Sequence, residues 1–322
     1  MMVVLLVATL MLSMLLCFVY LQLARRWQII DLPNARSAHE KPIPRGGGIA
    51  IILTWNATLL AGYYWLGAGD MPLVMLVTAS LAVAVAGFWD DVAALPAFNR
   101  LLVYALVCAA VITYLPLDSV WLWPLAWLYL LWLCNLYNFM DGIDGIAGVQ
   151  TVFIGVAAAA LGSFTGAPLW QLVAALGLAA AACGFLVFNW PRATLFMGDS
   201  GSVSLGLIVG VLSLATDAGV GLPLVSWLIL LAAFATDTTY TLVRRALAGE
   251  SVMQAHNQHL YQRLSRHWHS HERVLLALML LNMLWLLPLA AAAAYWPRAG
   301  LAIVILAYLP LIIFMRKTVK IT

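Results

Sequence analysis

Charged residues are scarce in this sequence. Asp, Glu, Lys and Arg make up 9% of its 322 residues, and hydrophobic residues make up 65%. A soluble domain carries roughly 25% charged residues, and folding a water-soluble core does not account for the deficit. Lipid does, because it allows helices that are apolar on every face. The composition therefore predicts an all-α, polytopic membrane protein.

Cysteine is scarce as well. Four cysteines are present, each within an apolar segment, and no two form a CxxC pair (Cys17, Cys108, Cys134 and Cys183). This pattern predicts lone buried thiols and argues against both a disulfide framework and a cysteine metal site.

Positive charge is missing ahead of the first apolar run, which ends just before Arg25 and Arg26. A signal peptide needs positive charge before its apolar run and a small-residue cleavage site after it. We therefore expect a retained first helix. The formal net charge of +3 is small, and we expect no nucleic-acid partner.

Long apolar runs fill most of the chain. A membrane-spanning helix needs about 20 apolar residues, and we predict about eleven spans, at 2–24, 47–66, 71–89, 101–116, 120–137, 147–163, 169–188, 202–216, 223–240, 274–295 and 300–315. We expect one integral membrane catalytic domain over 1–322. Its cytoplasmic loops would lie at about 25–46, 90–100, 138–146, 189–201 and 241–273.

Eleven spans place the loops alternately on two sides, and all but one of the 16 Lys and Arg residues fall on one side. The exception is Arg298. The positive-inside rule assigns the basic side to the cytoplasm, which predicts a periplasmic N-terminus and a cytoplasmic C-terminus. All six histidines fall on the same side, as do most of the acids. The rule does not explain carboxylates, so the acids need another cause.

The first acidic motif is Asp90-Asp91, at the end of the third predicted span. Adjacent carboxylates repel unless water or a cation neutralises them, and Mg²⁺ prefers such oxygen ligands. A solvated helix terminus is the alternative, although the helix dipole disfavours acids there.

Two glycine-rich motifs add further acids on the same side. The run from Asn138 to Gly145 contains Asp141 and Asp144, and a polar Asp-Gly turn is its simpler interpretation. Phe196-Met197-Gly198-Asp199-Ser200 follows Asn189 and leads into a predicted helix. A helix N-terminus attracts phosphate, although Asp199 or Ser200 could be an ordinary N-cap.

Two more segments complete the predicted cytoplasmic face. His256 and His259 are three residues apart and would share one face of a helix. No Cys or close acid completes a zinc set, so phosphate contact or proton transfer fits them better. Lys41 and Arg45 precede a glycine run, which suits an anionic ligand, although positive-inside charge explains this segment by itself.

Together these segments favour phosphoryl transfer, in which Mg²⁺ bridges phosphate oxygens and the protein positions the reactants. A soluble phosphorylated substrate would arrive from the cytoplasm, and a lipid acceptor would explain why the enzyme is built within the membrane. A transporter is the main alternative, but it would place ionisable groups near the midplane. The predicted spans are nearly free of charge, with Asp237 the chief exception. A scaffold protein would not require five separate polar clusters.

At these motifs the sequence resembles the polyprenyl-phosphate N-acetylhexosamine-1-phosphate transferases of the glycosyltransferase family 4 type. The resemblance covers the whole chain, and the motifs occur in the family's order. The segment from Asp31 through His39 to Gly48 resembles the branch that initiates O-antigen and related surface polysaccharides in Gram-negative bacteria. Relatives often have a denser histidine cluster than His256-Asn257-Gln258-His259.

The resemblance implies transfer of a sugar-1-phosphate from a UDP-N-acetylhexosamine to undecaprenyl phosphate at the inner membrane, with release of UMP. It implies Mg²⁺, with Mn²⁺ as a substitute, held by Asp199 with help from Asp90, Asp91 or Asn138. Asp90 or Asp91 would deprotonate or position the lipid phosphate. The uridine would be held by Asp144, Asn189, Phe196 and Lys41, and the diphosphate by Asp141, His256, His259 and Arg45. The sugar (N-acetylfucosamine, GlcNAc or a related one), the choice between direct transfer and an aspartyl-phosphate route, and a homodimer stay open.

Overall fold

The computed structural model describes residues 1–33, 41–69, 71–93, 95–215, 221–251 and 256–318. Its helices form two compact units, Met1–Gly221 and Leu222–Thr322. The sequence prediction of one catalytic domain over 1–322 stays a prediction. Positions 34–40 of the segment that resembles the O-antigen branch lie outside the described residues.

Among the described residues, eight α-helices build the first unit. They are α1 Met2–Arg26, α2 Gly48–Trp65, α3 Leu73–Ala93, α4 Ala97–Ile112, α5 Trp123–Met140, α6 Ile146–Phe164, α7 Leu169–Asn189 and α8 Asp199–Leu214. A short 3₁₀ turn, Val120–Leu122, precedes α5. Between α1 and α2, strand β1 Ile30–Asp31 pairs antiparallel with β2 Ile43–Pro44.

The described part of the second unit contains six α-helices. They are α9 Leu224–Leu230, α10 Ala232–Leu247, α11 Leu260–Trp268, α12 His271–Leu281, α13 Leu287–Tyr295 and α14 Gly300–Thr318. A break at Leu231 bends α9 and α10 by 71°. A π-helical turn, Asn282–Leu286, joins α12 to α13 just before Pro288. Proline lacks the N–H that would continue the helical ladder, and a π turn absorbs that interruption.

Each of the eleven predicted spans overlaps a helix or a broken helix pair. Seven helical segments among the described residues are long and apolar enough to cross a membrane, or eight if the bent pair α9–α10 is one span. The chain is thus a multi-pass membrane protein by the length and composition of its helices. The number of eleven spans and the sidedness of the termini stay predictions.

Close packing at glycine sets the position of α8. A Cβ added at Gly87 on α3 would lie 2.5 Å from the carbonyl carbon of Asp199 and from the amide nitrogen of Ser200. A Cβ added at Gly48 on α2 would likewise collide with the backbone of Gly201. Small residues let helix backbones approach this closely, so the first turn of α8 sits directly against α2 and α3.

Candidate active site

The first turn of α8 is the centre of the predicted site. Asp91 from α3 reaches it with both carboxylate oxygens: Oδ1 accepts the backbone N–H of Asp199 at 3.0 Å, and Oδ2 accepts that of Ser200 at 3.2 Å. Gly198 precedes the helix with φ +73°, a conformation that glycine adopts at little cost. Asp91 is 4% exposed. It therefore acts as a helix cap supplied by another helix, and its assignment as a metal ligand stays a prediction.

Arg100 joins the two other predicted acids of this region. Its Nη1 lies 2.6 Å from Asp90 Oδ2 and 2.6 Å from Asp199 Oδ2. Asp90 Oδ1 also accepts the backbone N–H of Leu95 at 2.7 Å. Our sequence analysis treated Arg100 only as part of the positive-inside signal and missed this contact. The sequence did contain a signal for this contact, because a basic residue follows Asp90-Asp91 closely and lies at the start of an apolar helix.

Asn138, near the end of α5, completes the group around Asp199. Its Nδ2 donates to Asp199 Oδ1 at 2.8 Å and to Ser202 Oγ at 3.3 Å. The structure therefore brings Asp90, Asp199 and Asn138 together, and their role as metal-binding residues stays a prediction.

A second group of predicted residues holds two loops against each other. Asn189 is 3% exposed; its Oδ1 accepts the N–H of Gly145 at 3.0 Å and its Nδ2 donates to Leu195 O at 2.9 Å. Asp144 Oδ2 accepts the N–H of Ala193 at 3.1 Å. These bonds join the loop after α5 to the loop before α8. The uridine contacts predicted for Asn189 and Asp144 stay predictions.

The segment before α2 lies along the same loop. Phe196 donates its N–H to Pro44 O at 2.8 Å and accepts the N–H of Gly47 at 2.9 Å. Arg45 Nε donates to the backbone oxygen of Asp91 at 2.8 Å, which places its side chain beside α3. Lys41 is exposed. Arg45 and Phe196, both half-buried, are thus tied to the region around Asp91 and Asp199.

Asp141 lies among several acidic side chains. It follows the last residue of α5. Burial raises its pKa well above the usual range, and the carboxylates of Asp199, Asp91 and Asp144 raise it further. Carboxylates that raise one another's pKa are stabilised by a nearby cation.

The donor set fits a magnesium ion. Among the residues that the structure describes, no group of three or more His, Cys, Asp or Glu is arranged to hold a metal. Mg²⁺ commonly takes one or two protein carboxylates and completes its shell with water and substrate phosphates. Asp90 and Asp199, which approach one nitrogen of Arg100, match that requirement, whereas a tetrahedral zinc site would need more ligands.

The two predicted catalytic histidines lie in the second unit. His259 is the N-cap of α11, while His256 lies ahead of this helix, so the two do not share a helical face as the sequence analysis expected. Their rings are nevertheless close, with centroids 4.8 Å apart. The pKa of His256 is lowered to about 4, mainly by burial and also by the neighbouring His259 and Arg245.

Asp237 anchors this histidine segment. It is 5% exposed and lies on α10. Its Oδ1 accepts the N–H of Leu260 at 2.8 Å and its Oδ2 that of Tyr261 at 3.0 Å, while His259 Nδ1 lies 3.3 Å from Oδ1. The lone charge within the predicted spans is thus a cap for α11. The sequence signal for this role was an acidic residue within an apolar segment.

Comparison with known proteins identifies relatives of this chain. The model of glycosyl transferase family 4 matches residues 73–217. The chain is 28% identical over 314 residues to a probable undecaprenyl-phosphate N-acetylglucosaminyl 1-phosphate transferase of Bacillus subtilis, covering 91% of this chain and 84% of that protein. It is 30% identical to decaprenyl-phosphate N-acetylglucosaminephosphotransferase of Mycolicibacterium smegmatis, covering 84% of this chain and 76% of that protein. A phospho-N-acetylmuramoyl-pentapeptide-transferase of a Synechococcus species is 32% identical over 64% of this chain and 66% of that protein.

Proposed function

Because this chain belongs to glycosyl transferase family 4, among the polyprenyl-phosphate sugar phosphotransferases, we propose that it transfers an N-acetylhexosamine-1-phosphate from a UDP-sugar to undecaprenyl phosphate. UMP is the second product. The observation that carries the proposal is the convergence of Asp90, Asp199 and Asn138 at the first turn of α8. The reaction would start an O-antigen or another surface polysaccharide on the cytoplasmic face of the inner membrane.

Asp199 and Asp90 would hold Mg²⁺, with Asn138 beside them and Mn²⁺ as a substitute. The metal, when bound, would neutralise phosphate charge and orient the phosphate oxygens. Asp91 supports this arrangement because it caps the helix that presents Asp199.

In the simplest mechanism, an oxygen of the lipid phosphate attacks the β-phosphorus of the UDP-sugar. A new P–O bond forms to the lipid, the bond between the β-phosphorus and the bridging oxygen breaks, and UMP leaves with that oxygen. Asp90 would position or deprotonate the lipid phosphate. The protein's main contribution would be positioning and charge compensation.

The nucleotide would lie along the loops that carry Asp144, Asn189 and Phe196, with Phe196 stacked on the uracil and Lys41 near it. Asp141 and Arg45 would contact the diphosphate, and the diphosphate contact expected for His256 and His259 from the resemblance stays a prediction. Phe196 is half-buried and its backbone bonds to Pro44 and Gly47 hold it in this loop. The hydrogen bonds of Asn189 and Asp144 to backbone groups support the shape of this segment.

The proposal is tested with purified protein, undecaprenyl phosphate, Mg²⁺ and a panel of UDP-N-acetylhexosamines. We expect UMP release and a lipid-linked sugar product with at least one donor. No UMP release with any donor would contradict the proposal. Exchange of labelled UMP into the UDP-sugar without lipid would show a two-step route, whereas its absence would favour direct attack.

A further inference from the structure

The hydroxyl of Tyr104 has no hydrogen-bond partner in the part of the chain that the structure describes. Tyr104 is 5% exposed. A buried polar group without a partner is destabilising, and most such groups in native proteins are paired. A ligand could supply the partner that the described side chains do not.

Tyr104 lies beside the charged centre of the site. It is four residues after Arg100 on α4, and residues at this spacing share one helical face. It interacts electrostatically with Asp199, Asp90 and Arg100. Its unpartnered hydroxyl thus belongs to the region around the two carboxylates, while its ring is buried in the bundle.

Arg100 has an unpartnered donor as well. Its Nη1 is shared by Asp90 and Asp199, but its Nε is buried and makes no hydrogen bond within the described residues. The Nε–H can only donate, and the phenol can donate. Two donors of this kind on one helical face suit a ligand that offers several acceptor oxygens.

We infer that Arg100 and Tyr104 form a phosphate-binding arm on α4, which donates hydrogen bonds to a phosphoryl group at the Asp90–Asp199 site. The guanidinium matches phosphate geometry and its charge offsets that of the phosphate. The inference rests on the proposed function, which supplies two such groups: the lipid phosphate and the diphosphate of the nucleotide sugar.

The test compares Tyr104→Phe with a matched control, Tyr129→Phe. Tyr104→Phe removes only the unpartnered oxygen and keeps the buried ring. Tyr129 lies on α5 of the same unit, and its hydroxyl lies 3.0 Å from Ser213 Oγ. Its replacement should therefore lower the unfolding temperature and leave the kinetics unchanged.

For Tyr104→Phe we expect an unchanged or raised unfolding temperature. The KM for one phosphate substrate should rise about ten- to a hundredfold, the scale of one hydrogen bond to a charged group. A rise confined to undecaprenyl phosphate assigns the arm to the lipid phosphate. A rise confined to the UDP-sugar assigns it to the diphosphate. Unchanged kcat/KM for both substrates, or a lower kcat with a lower unfolding temperature and unchanged KM, would overturn the inference.

Binding is also measured without turnover, as the rise in unfolding temperature that undecaprenyl phosphate or UDP-N-acetylglucosamine produces. The inference expects a smaller rise in Tyr104→Phe than in the unchanged protein and in Tyr129→Phe. An inactive protein that still shows this difference would contradict the proposed function alone. Equal rises in all three proteins would contradict the phosphate-binding arm alone.

Discussion

The carboxylate of Asp91 on α3 accepts the backbone N–H of Asp199, 108 positions later in the chain, at 3.0 Å. The side chain of its neighbour Asp90 points instead to Arg100, which also contacts Asp199. Consecutive residues on a helix point about 100° apart, so two adjacent acids serve two different partners. One aspartate holds the helix that presents Asp199, and the other faces the same charged centre.

This division predicts different effects of two similar substitutions. Asp91→Asn should lower the free energy of unfolding by about 1–3 kcal/mol, because an amide has one acceptor oxygen and one of the two backbone N–H groups would lose its acceptor. Asp90→Asn should affect stability less. Both should lower kcat/KM by several orders of magnitude, on the scale of acid–base and metal groups. Unfolding in detergent and steady-state kinetics measure both effects.

Equal destabilisation by the two substitutions would contradict the capping role of Asp91. Full activity in both variants would remove the pair from the mechanism.

Asp199→Ala should abolish UMP release while the protein still inserts and purifies. Asp199 is the acid that contacts both Arg100 and Asn138, so its loss removes the shared point of the proposed metal site. Asp118→Ala is the control, since Asp118 is an exposed carboxylate in the loop between α4 and α5, and this variant should keep full activity. Near-normal turnover in Asp199→Ala would refute the metal assignment.

Phe196→Leu should raise the KM for the UDP-sugar about tenfold or more and leave the KM for the lipid unchanged. Aromatic stacking on a base contributes about 1–3 kcal/mol, and leucine keeps apolar bulk without the ring. Phe196→Tyr retains a ring and should retain the KM. Initial rates measured against each substrate separately provide the test, and equal effects on both KM values would argue against stacking.

His256 should make the protein less stable in acid. Its pKa in the folded protein is lowered to about 4, below the usual value of about 6.5. The unfolded chain therefore binds more protons between these values, and stability rises with pH from about 4 to 6.5. His256→Gln should lose less of its unfolding temperature than the unchanged protein when the pH falls through this window.

The exposed His267, on α11, provides the control for this measurement. His267→Gln should follow the unchanged protein across the same pH range. Parallel curves for all three proteins would contradict the lowered pKa of His256.

Much of the site was predictable because its motifs are local. Three motifs each combine acids or amides with helix ends or glycines within a few residues. They are Asp90-Asp91, the run from Asn138 and the run ending at Asp199. Those patterns indicated the residue types that a phosphate and Mg²⁺ require. The helical, multi-pass architecture was also predictable from local apolar runs, because the length and composition of a helix decide whether it can span a lipid bilayer.

Which acid caps a helix and which faces Arg100 depends instead on contacts between helices far apart in the chain. The close approach of α3 to α8 at Gly87 places Asp91 within hydrogen-bond distance of the first turn of α8. Likewise, Asp237 is an acid within an apolar segment, and its position beside α11 lets it cap the start of that helix. Residue spacing along one helix determines the face on which a side chain lies. The packing of neighbouring backbones decides which partner that side chain meets. This packing depends on residues far apart in the sequence, so no local sequence pattern predicts it.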